Sequence, residues 1–270
     1  MTRAVIAALP MYDFPELASA HDALWNALRG RLIDLGVQAP GELTRDQGHV
    51  AVWRDPRLLL AQACEYPLAK HFATMVHKVA TPMYTAAGCE GARYRSAIVV
   101  RQDDPSAALA DLRGRHCVIN EIDSNSGMNL LRAAIAPLAV GGRFFASVSQ
   151  SGSHRRSAAL VASGGADVAA LDCVSYAHLQ RLDPEITAAL RVLAWTPSSP
   201  GLPLITAAAT DADTLRGLRT GLTAIAADPA LASVRAELLL GGFDLEPAVG
   251  YDAVLQLERQ AAEAGYSTLQ

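Results

Sequence analysis

Asp123-Ser124-Asn125-Ser126-Gly127-Met128-Asn129 and, further along, Gln150-Ser151-Gly152-Ser153-His154-Arg155-Arg156-Ser157 are two loops of small polar residues. The first follows the apolar run Cys117-Val118-Ile119 and opens onto Leu130, Leu131, Ala134, Ile135 and Leu138, which have helical spacing. The second follows Phe144-Phe145-Ala146 and opens onto Ala158, Leu160 and Val161. Both therefore read as strand, loop, helix. First-turn N–H groups have no acceptor inside their own helix, so two such starts brought together, with hydroxyls beside them, suit an anion. For either loop alone the simpler reading is helix capping by Ser or Asn. Two of them in adjacent βα units favour a site.

The chain has 270 residues, of which 51% are hydrophobic and 19% charged, enough for a large core and for two modest lobes. A formal net charge of −4, with Lys and Arg scattered singly, supplies no basic stripe for a nucleic acid and no polybasic anchor for a membrane surface. Cys64, Cys89, Cys117 and Cys173 are far apart in sequence and form no C-x-x-C, which argues against a zinc cluster or a thioredoxin-type pair. Cys117 and Cys173 lie in or beside apolar runs and read as buried free thiols. No G-x-S-x-G, H-E-x-x-H, P-loop or G-x-G-x-x-G occurs, and no cofactor is implied.

Strands and helices alternate along the chain. Ala4 to Leu9 reads as a first strand, and Asp13 as the cap of a helix that buries Leu17, Ala20, Leu24, Leu28 and Leu32 and stops at Gly36. Further strands are expected at Leu58 to Ala61, weakly at Val76 to Ala80, at Tyr94 to Arg101, Cys117 to Ile119, Phe144 to Ala146 and Val168 to Leu171. Such alternation predicts an α/β protein with a mostly parallel sheet. Two punctuated segments, Arg101-Gln102-Asp103-Asp104-Pro105 and Trp195 to Pro203, look like connections between lobes. The expected organisation is one discontinuous lobe of 1–101 with 199–270 and an inserted lobe of 102–198 that carries the anion loops. Helices near Asp211 to Ala227 and Leu231 to Leu240 would finish the first lobe.

The ordered set of Asp111-Leu112-Arg113-Gly114-Arg115, Asp123-Ser124-Asn125-Ser126-Gly127, Ser151-Gly152-Ser153-His154, Val161 to Asp172 and Pro197 to Leu204 resembles the phosphate/phosphonate-binding family of ABC-transporter solute-binding proteins. The resemblance implies a type 2 periplasmic-binding-protein fold: two α/β lobes joined by two hinge strands, with a ligand cleft between them. It implies a ligand-binding protein rather than an enzyme, with a small phosphorus oxyanion (phosphonate, phosphate or phosphite) as ligand and an ABC permease as partner. The family's Ser-x-Ser-Gly anion loop falls on Ser124, Asn125, Ser126 and Gly127, and its Ser/His loop on Ser153 and His154. Tyr94 matches a tyrosine placed over the ligand, while Tyr12 and Gln62, just after the first two strands, stand where the other lobe would contribute. Asp172 and Ser175 follow a strand where relatives that bind aminoalkyl phosphonates carry acidic residues.

The chain departs from the family at Asn125, where Thr is common, and in offering one carboxylate, Asp172, whose other reading is a helix cap. Ala4 to Leu9 is too short for a leader and ends in Pro10, so the sequence as written reads as cytoplasmic, or as periplasmic if a native leader was removed. No apolar run is long enough to span a membrane. The alternative function is therefore a cytosolic enzyme of the same fold acting on a small anionic metabolite, of the menaquinone-precursor or thiamine-pyrimidine synthesis type. A sensory module read out by another protein is a third.

Overall fold

The computed structural model describes residues 4–246 and 251–270. In chain order the strands are β1 (Ile6–Ala8), β2 (Leu58–Gln62), β3 (Val76–Tyr84), β4 (Arg93–Tyr94), β5 (Ser96–Arg101) and β6 (His116–Ile119), followed by β7 (Ser147–Gln150), β8 (Val168–Asp172), β9 (Leu190–Trp195), β10 (Ser199–Pro200), β11 (Leu204–Ala207) and β12 (Leu240–Asp244). They fall into two compact units. Of the described residues, the first comprises 4–85, 90–92 and 201–246, and the second 86–89, 93–200 and 251–270.

In the first unit the sheet order is β1-β2-β11-β3-β12. Every residue of β1, β2 and β11 is buried, as expected of strands with both faces covered. The helix Ala18–Asp34 buries Ala20, Leu24, Trp25, Leu28 and Leu32 at helical spacing. Asp13 does not cap it. Phe14 holds the cap position of the preceding turn without a side-chain bond, and Asp13 instead accepts from Arg45 Nε at 2.7 Å and lies 3.1 Å from His21 Nδ1. Burial would raise the Asp13 carboxyl, but these two partners outweigh it and hold the group below its ordinary value.

In the second unit the order is β7-β6-β8-β5-β9. β6 pairs in parallel with β7 and β8, whereas β5 runs antiparallel to β8 and β9. Both sheets are thus mixed rather than mostly parallel, since in the first only β1 and β2 pair in parallel. Alternating patterns show how elements follow one another, but they do not show where a later segment returns into a sheet begun earlier.

The pairing also moves the expected lobe boundaries. β5 belongs to the second unit because both of its neighbours are there, so the first break lies before Arg93 and not after Arg101. β4 and β10 pair antiparallel, Ser199 opposite Tyr94, and beyond them Gly201 N–H donates to the Ala92 carbonyl at 2.8 Å. The segment 251–270, expected in the first lobe, packs in the second. Its helix Asp252–Glu263 buries Val254 and Ala261, and Tyr266 is fully buried. The strand expected at Phe144 to Ala146 lies at Ser147–Gln150. The two phenylalanines are buried beside it, their N–H groups donating to the Gln270 carbonyl at 2.7 and 3.1 Å.

The Tyr266 hydroxyl donates to the Gln270 carbonyl and accepts from its N–H. Tyr266→Ala should therefore cost about 3–5 kcal/mol of unfolding free energy, the scale for emptying a buried aromatic site. Tyr266→Phe should lose about 1–3 kcal/mol, because it removes both hydrogen bonds of the hydroxyl. Urea denaturation of the two variants checks both.

Candidate anion-binding site

Both polar loops follow strands of the second unit and end in helices, as the pattern predicts. Ser124 caps the turn Asn125–Asn129 that runs into the helix Leu130–Ile135, its Oγ accepting from Gly127 N–H at 3.0 Å. Ser153 caps the helix His154–Ala162 and accepts from Arg156 N–H at 3.2 Å. A hydroxyl used this way spends a lone pair and keeps its own hydrogen to donate.

The loops meet at Ser126, whose Oγ lies 2.8 Å from His154 Nε2 and 3.3 Å from Ser124 Oγ. They are also tied to the end of β6. Ser151 N–H donates to the Ile119 carbonyl at 2.9 Å, and Gly152 N–H to the Asn120 carbonyl at 2.8 Å. Asn120 explains the glycine of the first loop: a Cβ on Gly127 would sit 1.9 Å from Asn120 Oδ1. Sequence reasoning missed Asn120 because its part is steric and follows from the approach of two loops.

Asn125 is fully buried. Its Oδ1 accepts from Asn129 Nδ2 at 2.9 Å, and its own Nδ2 donates to Tyr94 Oη at 3.0 Å and to Ser199 Oγ at 2.9 Å. Asn129 Oδ1 in turn accepts from the buried Arg132 guanidinium at 2.7 Å. Arg132 also donates to the Ser267 carbonyl at 2.9 Å, and Asn129 Nδ2 to the Val254 carbonyl at 3.2 Å. This network assigns both amides and commits both Nδ2 hydrogens of Asn125 to neighbouring oxygens. Ser96, also unforeseen, donates to the Ser126 carbonyl at 3.0 Å.

Tyr94 is in the same unit as the anion loops, not in the partner lobe expected for it. Asp172 is buried at the end of β8, and its Oδ1 accepts from the N–H groups of Val174 and Ser175 at 2.8 and 3.0 Å, so it caps the helix Cys173–Leu182. Tyr12 and Gln62 come together in the first unit. Tyr12 packs edge-on against Tyr84 with ring centroids 5.1 Å apart, and Gln62 Nε2 donates to Tyr84 Oη at 2.9 Å. Within that unit Tyr12, His21, Trp25, Gln62, Tyr84 and Phe243 help to line a cavity of about 40 Å³.

Burial pushes His154 down to about 4, against a smaller opposing contribution from the Ala170 backbone, so the ring is neutral at pH 7. Among the described residues no cluster of three or more His, Cys, Asp or Glu side chains could hold a metal. No helix of the described residues is long and apolar enough to cross a membrane.

Residues 6–245 match the family model described as the periplasmic substrate-binding protein of phosphonate ABC transporters. The chain belongs to this family. Solved structures agree in fold. PhnD1 from Prochlorococcus marinus, in complex with methylphosphonate, superposes with a TM-score of 0.74 at 15% identity over 96% of this chain and 98% of its own. A Xanthomonas citri protein bound to chloride ion gives 0.73 at 17% identity over 97% and 99%. A binding protein component of an ABC phosphonate transporter from Pseudomonas aeruginosa gives 0.66 at 16% identity over 97% of each chain. No curated protein matches the chain significantly in sequence. The fold is that of the type 2 periplasmic binding proteins.

Two outcomes follow for this member of the family. Gly127→Ala should destabilise the protein by about 1–3 kcal/mol, since the new methyl must displace Asn120 in a packed site; chemical denaturation measures it. The folded protein holds His154 neutral below its unfolded pKa, so its contribution is complete above about pH 6.5 and is lost as pH falls toward about 4. Wild type should therefore lose melting temperature relative to His154→Gln across that window. Parallel melting curves for the two proteins would mean that the ring titrates as it does in water.

Proposed function

We propose that this chain binds a tetrahedral oxyanion of phosphorus through Ser124, Ser126, Ser153 and His154, with the backbone N–H groups of the two helix starts beside them. The observation that carries this reading is the 2.8 Å contact between Ser126 Oγ and His154 Nε2, which joins two serine-capped helix starts into one patch of donors. A phosphonate or phosphate head offers three or four acceptor oxygens and is matched by several such donors without a metal. Asn125 contributes its backbone N–H, because its side-chain hydrogens are already used, and Gly127 contributes the close approach. Tyr94, whose hydroxyl accepts from Asn125 at 3.0 Å, stands at the edge of the same patch. The likeness to a methylphosphonate complex supports phosphonate within this class. Delivery of the ligand to an ABC permease is the matching biological role, and a periplasmic site of action goes with it.

Titration calorimetry with methylphosphonate, phosphite, phosphate and sulfate tests the proposal. A phosphorus oxyanion should bind, and Ser126→Ala and His154→Ala should each weaken it by about 1.5–3 kcal/mol, the range for hydrogen bonds to a charged group. Unchanged affinity in both variants would place the anion elsewhere. Preference for sulfate over every phosphorus ligand would discard the ligand class.

A further inference from the structure

Cys89 and Cys173 are far apart in sequence, yet the fold places their sulfur atoms 3.4 Å apart. The chain joins the second unit at 86–89 between two stretches of the first, and Cys89 closes that excursion as a turn, its N–H donating to the Ala86 carbonyl at 3.0 Å. The turn is pressed against its neighbours: a Cβ on Gly88 would lie 3.0 Å from Cys173 Cβ and 2.7 Å from the Trp195 ring. Cys173 begins the helix Cys173–Leu182, is almost fully buried, and donates its N–H to the Arg95 carbonyl at 3.2 Å. Cys89 is only partly covered and is the sulfur a reagent reaches first.

We propose that Cys89 and Cys173 form a disulfide bond when the protein meets a disulfide oxidant. The two sulfurs must close from 3.4 Å to a bond of about 2.05 Å, a movement within the reach of side-chain rotation and a small shift of the turn. The Cys89 thiolate attacks one sulfur of the oxidant, forming a mixed disulfide and releasing one thiol. Cys173 then attacks the Cys89 sulfur, its proton passing to the departing thiolate, so two protein thiols become one disulfide and the oxidant becomes two thiols. The hydrogen bond with Cys89, burial and the adjacent Asp172 charge all push the Cys173 thiol up, so the second step is slow. A pair of this kind is a structural staple rather than an exchange catalyst. Periplasmic conditions, in which this family works, favour such bonds. The bond would close a loop of 84 residues in the unfolded chain.

The test uses the full chain equilibrated with oxidised glutathione, then alkylated in denaturant and mapped by mass spectrometry. Of the four free thiols two should remain, a linked peptide should join Cys89 to Cys173, and the melting temperature should rise by about 5–10 °C, reversibly with dithiothreitol. Cys89→Ser, at a partly exposed position, should fold and show neither the link nor the rise. Four alkylated thiols at equilibrium, or a link that engages Cys64 or Cys117 instead, would overturn the proposal. So would a linked protein that melts no higher than the reduced one.

Discussion

The buried guanidinium of Arg132 sets the orientation of the amides behind the candidate site. A cation that cannot reach water needs acceptors around it, and Arg132 has Asn129 Oδ1, the Ser267 carbonyl and, at 3.8 Å, the Glu258 carboxylate. That choice turns the Asn129 amide, which turns Asn125, which in turn points both its hydrogens at Tyr94 and Ser199. Every link is a buried hydrogen bond with one permitted direction, so the order of donors is passed unbroken from the helix Leu130–Ile135 to the β4–β10 ladder. The residue where the family commonly has Thr is thereby explained. A threonine has a single donor and could not serve two hydroxyl acceptors while also accepting from Asn129. The C-terminal segment is part of the same arrangement, since Val254 and Ser267 supply carbonyls to it.

The sequence showed the fold class and the location of the loops, because both rest on local rules. Ser124 and Ser153 stand where capping predicts, and the runs ending at Ile119 and Leu171 are strands. Where partners are distant in sequence the reading weakened. β3 was seen only to Ala80 although it extends to Tyr84, since Thr81 and Pro82 break the apolar pattern while β12 supplies the pairing that keeps them extended. β9, β11 and β12 are absent from the expected set; β9 has the apolar run Val192 to Trp195 but is partly exposed and borders the sheet, and its place there is fixed by pairing with β5. Asp13 has a suitable cap spacing, but Arg45 and His21 outbid the helix for its carboxylate. No sequence spacing relates Cys89 to Cys173, because their proximity is a product of the fold.

Neutral donors suit the proposed ligand for a reason that goes beyond counting hydrogen bonds. A buried Arg or Lys in the loops would need a counter-charge whenever the site is empty, and the cost of keeping that charge dry would fall on the folded protein. Serine hydroxyls and helix-start N–H groups carry no such burden, and His154 avoids it by remaining neutral. An arriving dianion changes the balance for that one ring, because a nearby negative charge raises the pKa of an imidazole. Burial works against protonation and the ligand works for it, so the two effects meet at His154 Nε2. If the ligand prevails there, binding takes up a proton from solvent and tightens as pH falls from 7. If burial prevails, affinity follows only the ionisation of the ligand, and the neutral His154 shares a single hydrogen with Ser126 across their 2.8 Å contact.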